Sequence, residues 1–284
     1  MTILQAIING VLIGGVYALI SVGLTLVFGV MDIVNFAQAE FLMVGMYVAF
    51  YLYLVAGMDP ILASAFVFIV VFFIGAIVQK GLIQHVLKAP MVSQIFLTVG
   101  LSMVLISIAQ LLFGTTFRSV NTPYQMSALH LGRLQFSVPY LIAFGISLVM
   151  FFLLWLFLEK TDVGRSMRAT TQNRMAATIV GINDTRMYVL AFGIGTALTG
   201  VAGAVILPYA YVFPTISHQY GLTMFTAVIL GGFGSVPGAL LGGLIVGIIQ
   251  SMSSVFLATQ LQNLVVFIVF ITALVYRPAG LLGR

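Results

Sequence analysis

The chain carries no Asp, Glu, Lys or Arg between residues 187 and 276. Further uncharged stretches cover residues 1–31, 60–79, 89–117 and 134–158. A helix needs roughly 20 mostly apolar residues to cross a bilayer, and only helices or closed barrels satisfy their backbone groups in lipid. Barrel strands would alternate in polarity over about 10 residues, whereas runs such as "FVFIVVFFIGAIV" are continuously apolar. We therefore predict an all-α, polytopic helical bundle in a membrane.

Composition supports a lipid-embedded chain and excludes several kinds of site. Only 6% of the 284 residues are charged, against about 25% in soluble domains. With so few charges, the net charge of +5 indicates orientation in the membrane, and no nucleic-acid partner is expected. Cysteine is absent, and no two of the three histidines lie at metal-ligand spacing. No metal and no cofactor are therefore expected.

The apolar segments predict about eight to nine membrane segments. A workable set comprises residues 4–28, 34–57, 60–79, 92–113, 137–158, 187–210, 221–233, 238–257 and 260–276. Glycines and Pro237 interrupt "TMFTAVILGGFGSVPGALLGGLIVG", so eight crossings with a re-entrant or broken helix fit nearly as well. Small residues four apart, such as Gly193 with Ala197 and Gly238 with Gly242, favour close helix packing in lipid.

Lysine and arginine residues fall into groups that alternate across the predicted helices. Nine of the 11 lie in residues 80–88, residues 159–186 and residues 277–284, whereas Arg118 and Arg133 share another loop. The positive-inside rule assigns the first three groups to the cytoplasm and the pair to the outside. Nine crossings with a cytoplasmic C-terminus would place the N-terminus outside.

The longest polar segment, residues 159–186, is predicted to be a cytoplasmic loop within one membrane domain that covers residues 1–284. Between two glycines, small residues recur at helical spacing and would share one face: Ala169, Asn173, Ala176, Ala177 and Val180. Such a helix would fit a groove on a partner, with its basic side near acidic groups or lipid phosphates. An ordinary connecting loop is the alternative, although bundle connections usually take about 2–8 residues.

Residues 31–41, "MDIVNFAQAEF", place four polar side chains in an apolar region. On one continuous helix these side chains would cover more than half of the circumference, which no lipid-facing helix accepts. We interpret Asp32 as a helix N-cap at the cytoplasmic interface. Asn35 and Gln38 either bond to neighbouring helices or line a path. Glu40 lies deeper, where ionisable groups usually face a bundle interior or a wet cavity.

Several blocks of the sequence resemble permeases of ATP-binding-cassette importers for branched-chain amino acids. They are "GGVYALISVGLTLVFGVMDIVNFAQAEFLMVGMY", "LTVGLSMVLISIAQLLFGTTFRSV", "GRSMRATTQNRMAATIVGIN", "GLTMFTAVILGGFGSVPGALLGGLIVG" and "YRPAGLLG". Their order and spacing agree with the family over nearly the whole chain, and permeases for urea and short-chain amides share much of this pattern. Gln38-Ala39 stands where the family usually has His-Gly, which leaves the substrate open.

The resemblance implies a permease subunit in the bacterial inner membrane. It would pair with a second permease subunit, a paralogue in many such importers, with two cytoplasmic ATPase subunits and with an external solute-binding protein. The cytoplasmic loop would hold the helix that couples to an ATPase, built from Gly164, Arg165, Arg168, Ala169, Asn173, Ala176, Ala177 and Gly181. The candidates for the translocation path are Asn35, Gln38 and Glu40.

No catalytic residue is expected in this chain. It lacks the G-x-x-x-x-G-K-[ST] loop that binds nucleotide phosphates, so ATP hydrolysis is assigned to separate subunits. A stand-alone secondary transporter with paired broken helices is the second functional class, and glycine-rich segments near residues 29–45 and 230–243 fit that description. An intramembrane enzyme is the third class and has no motif in its favour.

Overall fold

All nine apolar segments contain helices in the computed structural model, which describes residues 2–132, 134–257, 261–277 and 279–283. The orientation charges Arg133 and Arg284, and residue 260 at the start of the ninth segment, lie outside the described residues. The helices are α1 (Thr2–Met31), α2 (Gln38–Ala56), α3 (Pro60–Val78), α4 (Gln84–Val86), α5 (Met91–Phe113), α6 (Val138–Lys160), α7 (Asp162–Gln172), α8 (Arg174–Ile179), α9 (Asp184–Ile206), α10 (Ile216–Gly231), α11 (Val236–Phe256) and α12 (Gln262–Tyr276). A π-helical turn (Gln79–Ile83) joins α3 to α4, and an antiparallel hairpin pairs β1 (Ala128–Leu131) with β2 (Leu134–Ser137).

Within the described residues, 7 helices are long and apolar enough to cross a membrane. Two further predicted segments form shorter helices, α10 with 16 residues and the apolar α12 with 15, so both fall below the roughly 20 residues of a full crossing. The expected interruption is confirmed, because α10 ends at Gly231 and α11 begins at Val236. The fold is thus an all-α polytopic bundle, and the expected eight to nine segments correspond to seven full-length helices and two short ones.

One end of the bundle is closed by the hairpin and by the long segment that precedes it. The N–H of Gln135 donates to the side chain of Gln5 at 3.0 Å, which places the start of α1 beside the hairpin. The Tyr124 hydroxyl donates to Asp59 at 2.8 Å, which ties the same segment to the α2–α3 turn. Burial and this hydrogen bond raise the pKa of the Tyr124 phenol, so the hydroxyl remains a donor. The charge pattern assigns this end to the outside.

The opposite end holds the lysine-rich turn after α3, the α7–α8 segment and the residues that follow α12. The N–H groups of Leu281 and Leu282 donate to the carbonyls of Leu230 and Gly231 at 2.8 and 2.9 Å. They satisfy carbonyl groups that are left free where α10 ends. The positive-inside rule assigns this end to the cytoplasm.

Helix α9 is the centre of the bundle and packs against α1, α2 and α3. Its small residues let the neighbouring backbones approach closely. A methyl group on Gly195 would lie 2.6 Å from the carbonyl oxygen of Gly23 in α1, and one on Gly45 in α2 would lie 2.5 Å from the Cα of Gly200. The prediction that the small-residue pattern serves helix packing is confirmed at these crossings, since close approach without a side chain is what such patterns permit in lipid.

A second close pair joins the two ends of the sequence. Helix α1 lies along α11, with Gly10 facing the backbone of Ile248 and Gly14 facing that of Leu244. A methyl group on Gly10 would lie 2.6 Å from the Cα of Ile248, and one on Gly14 would lie 2.8 Å from the Cα of Leu244. Helix α1 therefore completes its most extensive packing contact only when α11 is in place.

Candidate functional site

The polar segment after α1 is a break between two helices. Asp32 has a φ of 56°, and its N–H donates to the carbonyl of Phe28 at 2.8 Å. This left-handed conformation, which Asp tolerates better than most residues, ends α1. Helix α2 starts at Gln38 behind Ala37, which provides no side-chain cap. The interpretation of Asp32 as an N-cap is therefore wrong, and the helix predicted over residues 34–57 begins four residues later, at Gln38.

The break carries a buried network of amide side chains. The Asn35 side chain accepts from the N–H of Ala37 at 3.1 Å and donates to the Gln38 side-chain oxygen at 2.9 Å. The Gln38 amide nitrogen donates in turn to the carbonyl of Gly195 at 3.1 Å and to the Thr199 hydroxyl at 2.8 Å. Asn35 and Gln38 thus fix the start of α2 against α9. Sequence reasoning missed their partners, because nothing local links residues about 160 positions apart.

Glu40 lies two residues after Gln38 in the first turn of α2 and is only 3% exposed. One carboxylate oxygen accepts from the Ser102 hydroxyl of α5 at 2.7 Å. The other oxygen is buried and has no hydrogen-bond partner among the described residues. An unmatched carboxylate oxygen is costly in such surroundings, so Glu40 has spare capacity to bind a cationic or hydrogen-bond-donating group.

The turn between α3 and α4 holds another buried amide that sequence reasoning did not single out. Gln79 is fully buried, and neither side-chain atom has a hydrogen-bond partner within the described part of the chain. It opens the π-helical turn, a local irregularity that is frequent at functional sites. No sequence signal for it exists, since "VQKGL" is compatible with a regular helix.

The cytoplasmic loop forms two helices instead of one. Asn173 has an extended backbone and caps α8, accepting from the N–H of Ala176 at 3.0 Å. The chain therefore turns at Asn173, and the predicted face that joined Ala169 to Val180 does not exist. Ala177 is buried while Ala176 is exposed. A single continuous helix over this segment was the wrong prediction, because the Asn side chain stabilises a new helix start.

The other predicted coupling residues shape this loop. Gly164 is buried where α6 turns into α7, and a methyl group there would lie 2.6 Å from the Cα of Leu158. Arg165 pairs with Asp162 at 2.5 Å, and Arg168 pairs with Glu159. Gly181, with a φ of 89°, ends the turn after α8.

A further ion pair fastens α8 to the start of α9. Arg174 pairs with Asp184 at 2.8 Å and lies 5.1 Å from the ring centre of Tyr188. The hydrogen bond to Asp184 raises the pKa of the Arg174 guanidinium by favouring its charged form. The helix is thus held in a fixed place beneath the central helix of the bundle.

Three large apolar side chains are exposed on α8 and at its C-terminal end. Met175, Ile179 and Val180 are 77%, 80% and 75% exposed, and they adjoin the basic side chains of the loop. Exposed apolar patches with a polar rim mark interaction sites. The residues available to a partner here are these three, which the sequence pattern of small residues did not indicate.

In the described part of the chain, no group of three or more His, Cys, Asp or Glu side chains is placed to hold a metal ion. The distinctive features are a buried carboxylate between α2 and α5 and an exposed apolar patch with basic neighbours at the end of the bundle that holds α7 and α8.

Comparison with known proteins gives a match over almost the full length. The family model described as branched-chain amino acid transport system / permease component matches residues 6–274. The high-affinity branched-chain amino acid transport system permease protein LivH of Escherichia coli (strain K12) is 32% identical, over 99% of this chain and 96% of LivH. The corresponding protein BraD of Pseudomonas aeruginosa is 29% identical, over 99% of this chain and 96% of BraD. The ribose import permease protein RbsC of Bacillus subtilis is 33% identical over 41% of this chain and 38% of RbsC.

Proposed function

The chain belongs to the family of branched-chain amino acid transport permeases, and from that membership we propose that it is the membrane subunit of an importer that passes branched-chain amino acids. The observation that carries the proposal is the near full-length similarity to LivH and BraD. We further propose that it works in the bacterial inner membrane with a second permease subunit, two cytoplasmic ATPases and an external binding protein. This chain itself would catalyse no reaction.

Uptake by the reconstituted complex tests this function. Proteoliposomes that contain the permease pair and its ATPases, supplied with the cognate binding protein, should accumulate labelled leucine, isoleucine or valine only when ATP is available on the ATPase side. Uptake of labelled urea instead would favour an amide permease. Leucine uptake by this chain alone, without ATPases, would contradict the importer and favour a secondary transporter.

The apolar surface of α8 supports the proposed coupling to an ATPase. Its position is fixed by the Asn173 cap and by the Arg174–Asp184 pair, so a force applied to α8 would act directly on the start of α9. Met175, Ile179 and Val180 supply apolar contact area, and the basic residues of α7 supply a rim. We assign the docking role to this patch, and assign to Gly164, Asn173 and Gly181 the role of shaping it.

The surroundings of Glu40 support a place along the translocation path. Helix α5 makes few contacts with the rest of the bundle, and the Glu40–Ser102 hydrogen bond joins it to α2. The unmatched oxygen of Glu40 offers an acceptor for the ammonium group of an amino acid. Asn35 and Gln38 would act indirectly, because their hydrogen bonds hold the start of α2, and with it Glu40, against α9.

A further inference from the structure

The outer half of the bundle contains an apolar groove between α2, α3 and α5. Its volume is about 580 Å³, and it is lined mainly by aliphatic and aromatic side chains. The wall on α2 runs from Met43 to Val55, which corresponds to about 18 Å at 1.5 Å per residue. The hydrocarbon core of a bilayer is about 30 Å thick, so the groove spans roughly one leaflet.

Arg118 lies at the outer end of this groove. Its guanidinium donates to the Tyr51 hydroxyl at 2.9 Å and to the carbonyl of Phe113 at 2.6 Å, and both residues line the groove. These bonds occupy two of the five N–H groups of the guanidinium. Arg118 forms no ion pair with any described residue. The acidic residue of the neighbouring turn, Asp59, is bound to Tyr124 and to the N–H of Ile61.

Arg118 is one of the two arginines that the charge pattern assigns to the outer end, where the positive-inside rule makes positive charge uncommon. Its backbone pairs with Val212 of the α9–α10 connection at 3.0 and 2.8 Å, so the residue is held in place at the mouth of the groove. A fixed cation above a leaflet-long apolar groove is complementary to an anionic headgroup that carries an acyl chain.

We propose that the groove binds one anionic phospholipid of the outer leaflet. An acyl chain lies along α2 and α5 towards Glu40, and the phosphate accepts hydrogen bonds from Arg118. Arginine side chains donate charge-assisted hydrogen bonds to phosphate oxygens, which are stronger than those between neutral groups.

The test is native mass spectrometry of the full-length protein, purified together with the subunits that accompany it and titrated with phosphatidylglycerol or phosphatidylcholine. The Arg118→Gln variant removes the charge, and Arg118→Lys keeps it as a check on folding. Ile108→Trp fills the groove. Leu111→Trp is the matched control, because Leu111 is on the same helix, is 85% exposed and is not part of the groove lining.

Wild type, Arg118→Lys and Leu111→Trp should retain phosphatidylglycerol in preference to phosphatidylcholine. Arg118→Gln should bind it roughly fivefold more weakly or worse, as expected for one lost contact of this kind, and Ile108→Trp should also lose it. Equal binding by all variants, or no retained lipid in the complex, overturns the proposal. Displacement of the lipid by leucine would also overturn it and would make the groove an amino acid site.

Discussion

Glu40 is buried, and one of its carboxylate oxygens has no hydrogen-bond partner among the described residues. Its role can be tested by replacing the carboxylate with an amide of nearly the same shape. Glu40→Gln keeps the shape and the bond to Ser102 but removes the negative charge. If the oxygen receives an ammonium group during transport, leucine uptake should fall about tenfold or more, because hydrogen bonds to charged groups contribute about 1.5–3 kcal/mol.

The control for Glu40 is Asp32→Asn, which removes a carboxylate that is exposed at the cytoplasmic end. Uptake rates should be compared at equal amounts of assembled complex, measured by co-purification of the ATPases. Full uptake by Glu40→Gln, or an equal loss in Asp32→Asn, would remove Glu40 from the path.

Gly45 lies at a close approach of α2 and α9. Since an added methyl group would meet the backbone at Gly200, Gly45→Ala should destabilise the fold by about 1–3 kcal/mol, the usual cost of overpacking. Gly100→Ala is the matched control, because the space beside Gly100 is open. Thermal unfolding in the same detergent should show a lower Tm for Gly45→Ala alone. Equal Tm values would mean that the two helices are not in close contact.

At the residue scale, the sequence indicates which side chains are unusual but not what they contact. Asn35, Gln38 and Glu40 stand out in the sequence because they are polar side chains in an otherwise apolar segment. Their partners, Gly195, Thr199 and Ser102, are distant in the sequence and have no distinguishing pattern. The N-cap prediction for Asp32 is wrong because Asp is common both as a helix N-cap and in the left-handed conformation that ends a helix. Only the backbone φ of Asp32, which is positive, distinguishes the two cases.

At the scale of elements, α8 is a short, capped helix that exposes two large apolar side chains, Met175 and Ile179. Ile179→Asp should reduce co-purification of the ATPases by about tenfold or more, because truncating a central contact of an interface commonly costs 2 kcal/mol or more. Insertion of the permease should be unaffected, since Ile179 is 80% exposed.

Met126→Asp provides the control for Ile179→Asp, as Met126 is 93% exposed at the opposite end. Pull-down of the ATPases and ATP-dependent uptake should be measured in parallel for both variants. Unchanged binding in Ile179→Asp, or an equal loss in Met126→Asp, would show that the ATPases dock elsewhere.

The helices themselves were accessible to prediction because apolar length is a strong signal in lipid. All nine apolar segments were found, and so was the glycine break before α11. The break at Asn173 was not, because the small-residue spacing on its two sides is compatible with one helix. Only the backbone shows that the side chain of Asn173 begins a new one.

At the scale of the whole molecule, the two ends of the bundle should face opposite sides of the membrane. The chain contains no cysteine, so single substitutions provide unambiguous labelling sites. In right-side-out vesicles, an impermeant thiol reagent should modify Met126→Cys. It should modify Ile179→Cys only after the membrane is opened. The reverse pattern would invert the orientation given by the charge distribution.

The pairing of α1 with α11 has a consequence for how the protein is made. Ribosomes add about 5–20 residues per second, so on the order of 10–50 s pass between synthesis of the glycine face of α1 and arrival of the helix that covers it. Throughout that interval the glycine face of α1 lacks its partner helix. Lipid or the insertion machinery must cover this face and then leave it when α11 arrives. Assembly of the first helix is therefore among the last events of biogenesis.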